Sequence, residues 1–150
     1  MKVKTDDLDY EIISLLQKDC RRPYKEIAND LGVSIGTIHN RITKLKKIDI
    51  INGFTVNINN EKLGYNLCFI ILLRIDGKHT AEVLEGLKDK KEILSCFHIT
   101  GEQSAALICR FENLNDVQKF IQDLNKEKYI LRTVSNMVLK EYKNSSNVLL

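Results

Sequence analysis

The sequence predicts an α+β chain in two parts: a helical N-terminal half, then a half ordered β-α-β-β-α-β. Three observations lead there. Apolar residues recur at helical spacing up to Ile48, then alternate with polar ones at Phe54, Val56 and Ile58. Beyond NNEKLGY, strand-like and helix-like runs follow one another in the split βαβ order. The third helical stretch, GVSIGTIHNRITKLKK, contains no acid at all.

The first helix is capped by Asp6 or Asp7 and buries Leu8, Ile12, Leu15 and Leu16. It stops before Pro23, whose ring disfavours helical geometry at Arg22 and suits the first turn of the second helix. That helix, PYKEIANDL, buries Ile27, Ala28 and Leu31, and Gly32 supplies a turn. Ser34 caps the third helix, 34–47, whose inward residues are Ile38, Ile42 and Leu45. Asn52-Gly53 then offers a tight turn ahead of a short strand or hairpin. A linker at 59–66 divides an N-terminal domain, 1–58, from a second domain, 67–142.

In the second domain LCFIILLRI (67–75) reads as a strand and 80–90 as a helix, with Thr80 its cap and Val83, Leu84 and Leu87 inward. ILSCFHIT (93–100) and AALICRF (105–111) read as strands around Gly101-Glu102-Gln103. A helix with Val117, Phe120, Ile121 and Leu124 inward follows, with Asn115 and Gln118 as a capping pair. The last strand is 131–139, and 143–150 is a weakly patterned tail. This ferredoxin-like plan sets two helices on one face of an antiparallel sheet and leaves the other face uncovered. An apolar open face needs a partner, and a second copy of the chain is the commonest one, so at least a dimer is expected.

The net charge of +3 decides little by itself. Its distribution says more, because Arg41, Lys44, Lys46 and Lys47 crowd one stretch while Asp6, Asp7, Asp9 and Glu11 crowd another. The N-terminal residues lack the apolar core of a secretion signal, and the longest apolar run, LCFIILL, is far short of the ~20 residues that span a bilayer. A cytoplasmic location is expected. Cys20, Cys68, Cys96 and Cys109 form no C-x-x-C pair, and the three in strand-like runs read as small buried hydrophobes. No metal site, cofactor or catalytic residue is assigned. His98, beside Cys96 on a strand, reads as structural or interfacial.

Two helices joined by Gly32-Val33-Ser34 and followed by a strand pair make a winged helix-turn-helix. Ala28 lets the helices cross closely, and Ile38 and Ile42 fix the second on the first. The outer face offers Ser34, Ile35, Gly36, Thr37, His39, Asn40 and Lys44 to a major groove. Asn pairs bidentate with adenine, Gly and Thr permit close approach, and Lys44, Lys46 and Lys47 meet phosphates. Arg41, beside Ile42, either buttresses the fold or reaches DNA. An exposed helix held by its own ion pairs would interleave acids with its bases, and none lies between Asp30 and Asp49.

The run LDYEIISLLQKDCRRPYKEIANDLGVSIGTIHNRITKLKKIDIINGF resembles the N-terminal region of the Lrp/AsnC, or feast/famine, transcriptional regulators. The matching features are L-D-x-x-I, the Arg before helix two, E-I-A, L-G-x-S, R-I-x-x-L and I-I-x-G-F. The resemblance covers essentially the whole chain, since that family's second domain has the order read above. It implies a dimer or octamer reading a palindromic operator, with a small effector such as an amino acid bound between subunits. The family's effector loop corresponds to Thr100, Gly101, Glu102, Gln103 and Ser104, with Thr133 and Ser135 on the last strand. Where the family commonly carries an Asp suited to an ammonium group, this chain has Ser104, which gives up a charge-assisted bond. Two rival readings remain: an enzyme like the sirohaem decarboxylases, which resemble the family in both domains, and an effector sensor without DNA binding.

Overall fold

Asp6 begins the first helix by accepting the Asp9 N–H at 3.0 Å, while the Asp9 carboxylate accepts the Asp6 N–H at 3.3 Å. This capping box satisfies two backbone donors at once and starts α1, Asp7–Lys18. The computed structural model describes residues 5–145, 148 and 150. They fall into two units, Met1–Asn57 with Asn144–Leu150, and Ile58–Lys143.

In the first unit Pro23 is the N-cap of α2, Tyr24–Leu31, one residue ahead of the first-turn place expected for it. Gly32 ends α2 at φ +65°, a left-handed conformation that favours glycine, and its N–H bonds back to the carbonyls of Ala28 and Asn29. Ser34 Oγ accepts the Thr37 N–H at 3.0 Å and starts α3, Ile35–Lys47. Ile12, Leu16, Ile27, Ala28, Ile38 and Ile42 form one core cluster.

Among these apolar side chains lies a carboxylate. Asp9 is fully buried, and its oxygens accept from Arg41 at 3.2 Å and from Lys44 at 2.9 Å. Arg41 also pairs with Asp6, and that hydrogen bond holds the Asp6 carboxyl below the usual carboxylate range. Two of the four cations on α3 are therefore balanced from the start of α1.

The strand pair expected after Ile48 does not form. Residues 51–58 carry no strand, and Phe54, Val56 and Ile58 are all exposed. Gly53 does not take the positive φ that a tight Asn-Gly hairpin turn demands. A lone strand has no neighbour to satisfy its backbone, so alternation by itself does not make one. At Asn59 the chain turns. Asn59 accepts the Lys62 N–H at 3.0 Å, and Gly64 closes the turn at φ +95°.

The second unit contains β1 (Leu67–Ile75), α4 (Thr80–Leu87), β2 (Ile93–His98), β3 (Ala105–Phe111), α5 (Leu114–Lys126) and β4 (Ile130–Met137). Its antiparallel sheet has the order β2-β3-β1-β4. Phe69, Ile71, Leu73 and Ile75 alternate inward along β1 and join Leu107, Cys109, Phe111, Val117, Phe120 and Leu124 in a second core. Burial pushes the Cys109 thiol up to about 12. Ile70 and Phe97 lie on the opposite, open face and are exposed.

Several ends differ from expectation. The N-cap of α4 is His79, and Thr80 instead donates to the Asp76 carbonyl at 3.4 Å. Asn113 rather than Asn115 caps α5, accepting the Asp116 N–H at 3.0 Å. The predicted tail lies partly outside the described residues. Within it, Gln17 and Ser14 of α1 donate to the carbonyls of Val148 and Leu150 at 2.7 and 3.0 Å. No helix among the described residues is long and apolar enough to cross a membrane.

Replacing Arg41 with Met leaves buried Asp9 with Lys44 as its remaining ion-pair partner among the described residues. The first unit should lose roughly 2–4 kcal/mol, read as a lower urea midpoint at unchanged slope. An unchanged midpoint would show that Arg41 does not hold α3 to α1.

Candidate nucleic-acid interface

Helix α3 buries Ile38, Ile42 and Leu45 and turns its opposite side outward. At 3.6 residues per turn the middle of that outer side runs Gly36, Asn40, Thr43 and Lys47, all exposed. Ile35, His39 and Lys46 are also exposed and flank this line on one side. On the other flank are Thr37, Arg41 and Lys44, with Thr37 and Arg41 partly buried. Ser34 and Thr37 are tied to one another, their hydroxyls 2.9 Å apart.

The predicted residues thus separate into groups. Gly36, His39, Asn40, Lys46 and Lys47 point away from the core. Arg41 faces α1 and is engaged by Asp6 and Asp9, the contacts that a side chain buttressing the fold would make. Lys44 remains partly exposed but bonds Asp9. Lys46 stands over the Phe54 ring at 4.8 Å, a cation–π contact that leaves its charge at the surface. Tyr24 of α2 meets the His39 ring edge-on, with centroids 6.4 Å apart.

Thr43 joins this face without having been expected there. Its helical spacing from Gly36 and Asn40 was the signal in the sequence that could have placed it.

Gly36 is informative because the chain itself gives no reason for it. A Cβ built there meets only Ser34 Oγ, at an ordinary 3.7 Å. Glycine costs up to about 1 kcal/mol relative to alanine in a helix interior, and Gly36 is the second residue of α3. Packing within the first unit therefore does not account for a glycine at this position.

In the second unit the predicted effector loop follows β2. Gly101 takes φ +113°, and Thr100 and Glu102 lie in the same turn, Glu102 exposed. Ser104 is already occupied. Its N–H donates to the Leu73 carbonyl at 2.7 Å, its hydroxyl donates to the Ile75 carbonyl at 3.2 Å, and the same hydroxyl accepts the Ile75 N–H at 3.1 Å. Gln103 Oε1 and Thr133 Oγ1 are buried without a hydrogen-bond partner among the described residues. Thr133 and Ser135 pair with Leu73 and Ile71, which places both on the helix-covered side of the sheet. No group of three His, Cys, Asp or Glu suited to a metal ion occurs among the described residues.

Both halves of the chain match domains of known proteins. Residues 6–46 match the AsnC-type helix-turn-helix domain, and residues 68–148 match the Lrp/AsnC ligand binding domain. An uncharacterised HTH-type transcriptional regulator of Pyrococcus abyssi is 36% identical over 138 residues, spanning 92% of this chain and 94% of its own. The regulatory protein AsnC of Haemophilus influenzae is 40% identical over 103 residues, or 68% of this chain and 69% of its own. Among solved structures, AsnC of E. coli superposes with a TM-score of 0.90 at 26% identity, covering 97% of this chain and 99% of its own. The L-methionine complex of a Neisseria meningitidis transcriptional regulator superposes at 0.89 and 25% identity, covering 97% and 96%. The acid-free outer face of α3 and the four-stranded sheet that follows it in the chain are the two halves of a DNA-binding regulator, and the chain belongs to the Lrp/AsnC family of transcriptional regulators.

Proposed function

We propose that this is a cytoplasmic, non-catalytic regulator that reads a palindromic operator as a dimer or higher oligomer and answers to a small effector. Gly36 carries the proposal, since an exposed helical glycine with room for a Cβ is what close approach to a base pair calls for. Around it Asn40 reads a base edge, Thr43 and Ile35 offer methyls to thymine, and Lys47 and Lys46 meet phosphates. Lys44 contributes less than its exposure implies, because Asp9 competes for it. Thr37 and Ser34 act through the helix cap, and Arg41 acts by holding the helix in place.

Two-fold operators are met by two-fold proteins, and this chain has surfaces that a second copy would cover. They are the open sheet face with Ile70 and Phe97, and the unpaired extended stretch with Phe54, Val56 and Ile58. Effector binding is supported by the ligand-binding-domain match and by the solved relative that holds L-methionine. The loop at 100–104 with Thr133 and Ser135 is the place proposed for it.

Duplex binding should weaken steeply with salt, log K falling by about 0.9 per phosphate neutralised per unit of log salt. Lys47→Ala should lower that slope by roughly 1 and weaken all sequences alike, whereas Asn40→Ala should change the preferred base at one position per half-site. Binding that ignores salt, or a selected consensus indifferent to Asn40→Ala, would refute this docking of α3. Gly36→Ala should stabilise the free protein by up to about 1 kcal/mol while weakening operator binding by roughly tenfold. An operator affinity left intact by that substitution would remove the main support for close approach.

A further inference from the structure

The chain passes from the first unit to the second between Asn57 and Ile58 and returns between Lys143 and Asn144. Within the second unit, the segments beside those two crossings meet at one side chain. Arg110, on β3, donates to the Tyr65 carbonyl at 3.4 Å and to the Glu141 carboxylate at 2.9 Å. Tyr65 in turn donates its N–H to the Asn60 carbonyl at 2.9 Å, so the hold extends back to the entry. Past β4, the Val138 N–H bonds the Cys68 carbonyl at 2.8 Å, which carries the leaving segment over the start of β1 toward β3. Both segments lie outside helices and strands, and Arg110 clasps one with each end of its fork.

An arginine is a costly choice at this place. It alternates with the inward Cys109, so it faces the open side of the sheet, yet it is only 8% exposed because its own unit encloses it. That burial does not depend on a second copy. The rest of AALICRF is apolar, and Arg110 Nε is buried without an acceptor among the described residues. A buried ion pair adds little net stability, because desolvation offsets the attraction, and apolar replacements of similar volume are often neutral or better. What the guanidinium supplies, and an apolar side chain does not, is direction.

We propose that Arg110 is a positioning residue for operator reading: by clasping the entry and exit segments it stiffens both connections to the first unit and restricts the operator to one half-site spacing. The inference rests on the reading of a two-fold operator and names the residue that sets its geometry. Modules joined to a common body by slack connections engage half-sites over a range of separations. Stiff connections engage only the separation they match. Each base pair inserted between half-sites lengthens the span and also turns one half-site around the duplex, so a stiff reader loses both distance and orientation.

The test uses the full chain, an operator selected from a random duplex pool, and a series with base pairs added or removed between its half-sites. The wild-type chain should lose at least about tenfold in affinity when the spacing changes by a few base pairs. Arg110→Met and Glu141→Ala should keep the affinity at the selected spacing within about threefold and flatten the rest of the series. Arg110→Lys, which keeps the charge but not the fork, should fall between them and the wild type. Amide exchange should quicken in residues 60–66 and 138–143 of the first two variants and stay unchanged in β1 and β3. Arg110→Met should melt near the wild-type temperature; should it fail to fold, Glu141→Ala, which alters a half-exposed side chain, carries the same test.

Variants whose affinity falls with spacing as steeply as the wild type's would overturn the proposal. So would affinity lost equally at every spacing, the mark of a merely destabilised chain, or a wild-type series that is already flat. Unchanged exchange in both segments would overturn it as well. Any of these results on a selected site with two-fold symmetry defeats this inference and leaves the two-fold reading standing. A selected site without that symmetry, or no duplex binding at all, defeats both.

Discussion

A buried carboxylate fixes the geometry of α3 and of the outward face proposed to meet DNA. Taking Asp9 out of water costs several kcal/mol unless charge and hydrogen bonds replace what is lost. Both replacements from side chains come from α3, as Arg41 and Lys44. The same carboxylate closes the capping box of α1. One side chain therefore sets where α1 begins and how α3 lies against it. Apolar packing of Ile38 and Ile42 supplies attraction but little direction, since hydrophobic burial is roughly proportional to area and is non-directional. The ion pairs add the missing orientation, and with it the choice of Gly36, Asn40, Thr43 and Lys47 as the outward line.

That arrangement alters the electrostatic account of the helix. Along the chain, α3 holds four cations without an acid. In space, Asp6 and Asp9 neutralise Arg41 and partly neutralise Lys44, leaving Lys46 and Lys47 at the end of the helix. Positive charge is thus concentrated toward the end where α3 leaves its core, while the N-terminal turns are small or neutral. This suits a helix whose first turns enter a groove and whose last turn meets the backbone beside it.

How much of this was legible in the sequence depends on the range of the interaction. The strands β1 and β3 match their expected limits at Leu67–Ile75 and Ala105–Phe111, because each is a nearly unbroken apolar run. Caps were less legible, since Thr80 and Asn115 look as suitable as His79 and Asn113 until one carbonyl and one N–H are placed. The hairpin at Asn52-Gly53 failed for a related reason: turn chemistry permits a pair but does not create the second strand. Arg41 could not be assigned from its neighbours, as its acids lie 35 and 32 residues away. The bonds from Arg110 to Tyr65 and Glu141 appear only once the strands are assembled. Composition and period find elements; partners across elements need the fold.

Gly36 is a local cost with no internal compensation: an exposed helical glycine that packing does not require. Sequences that fold well keep local choices consistent with the global structure, and the departures gather where something else must bind. Asp9 is the useful contrast, because it breaks the rule against buried charge and is then answered completely from within. A buried charge with its partners supplied is a structural device. An exposed cost with none supplied is what the proposed docking of α3 accounts for: at Gly36, a surface that comes close.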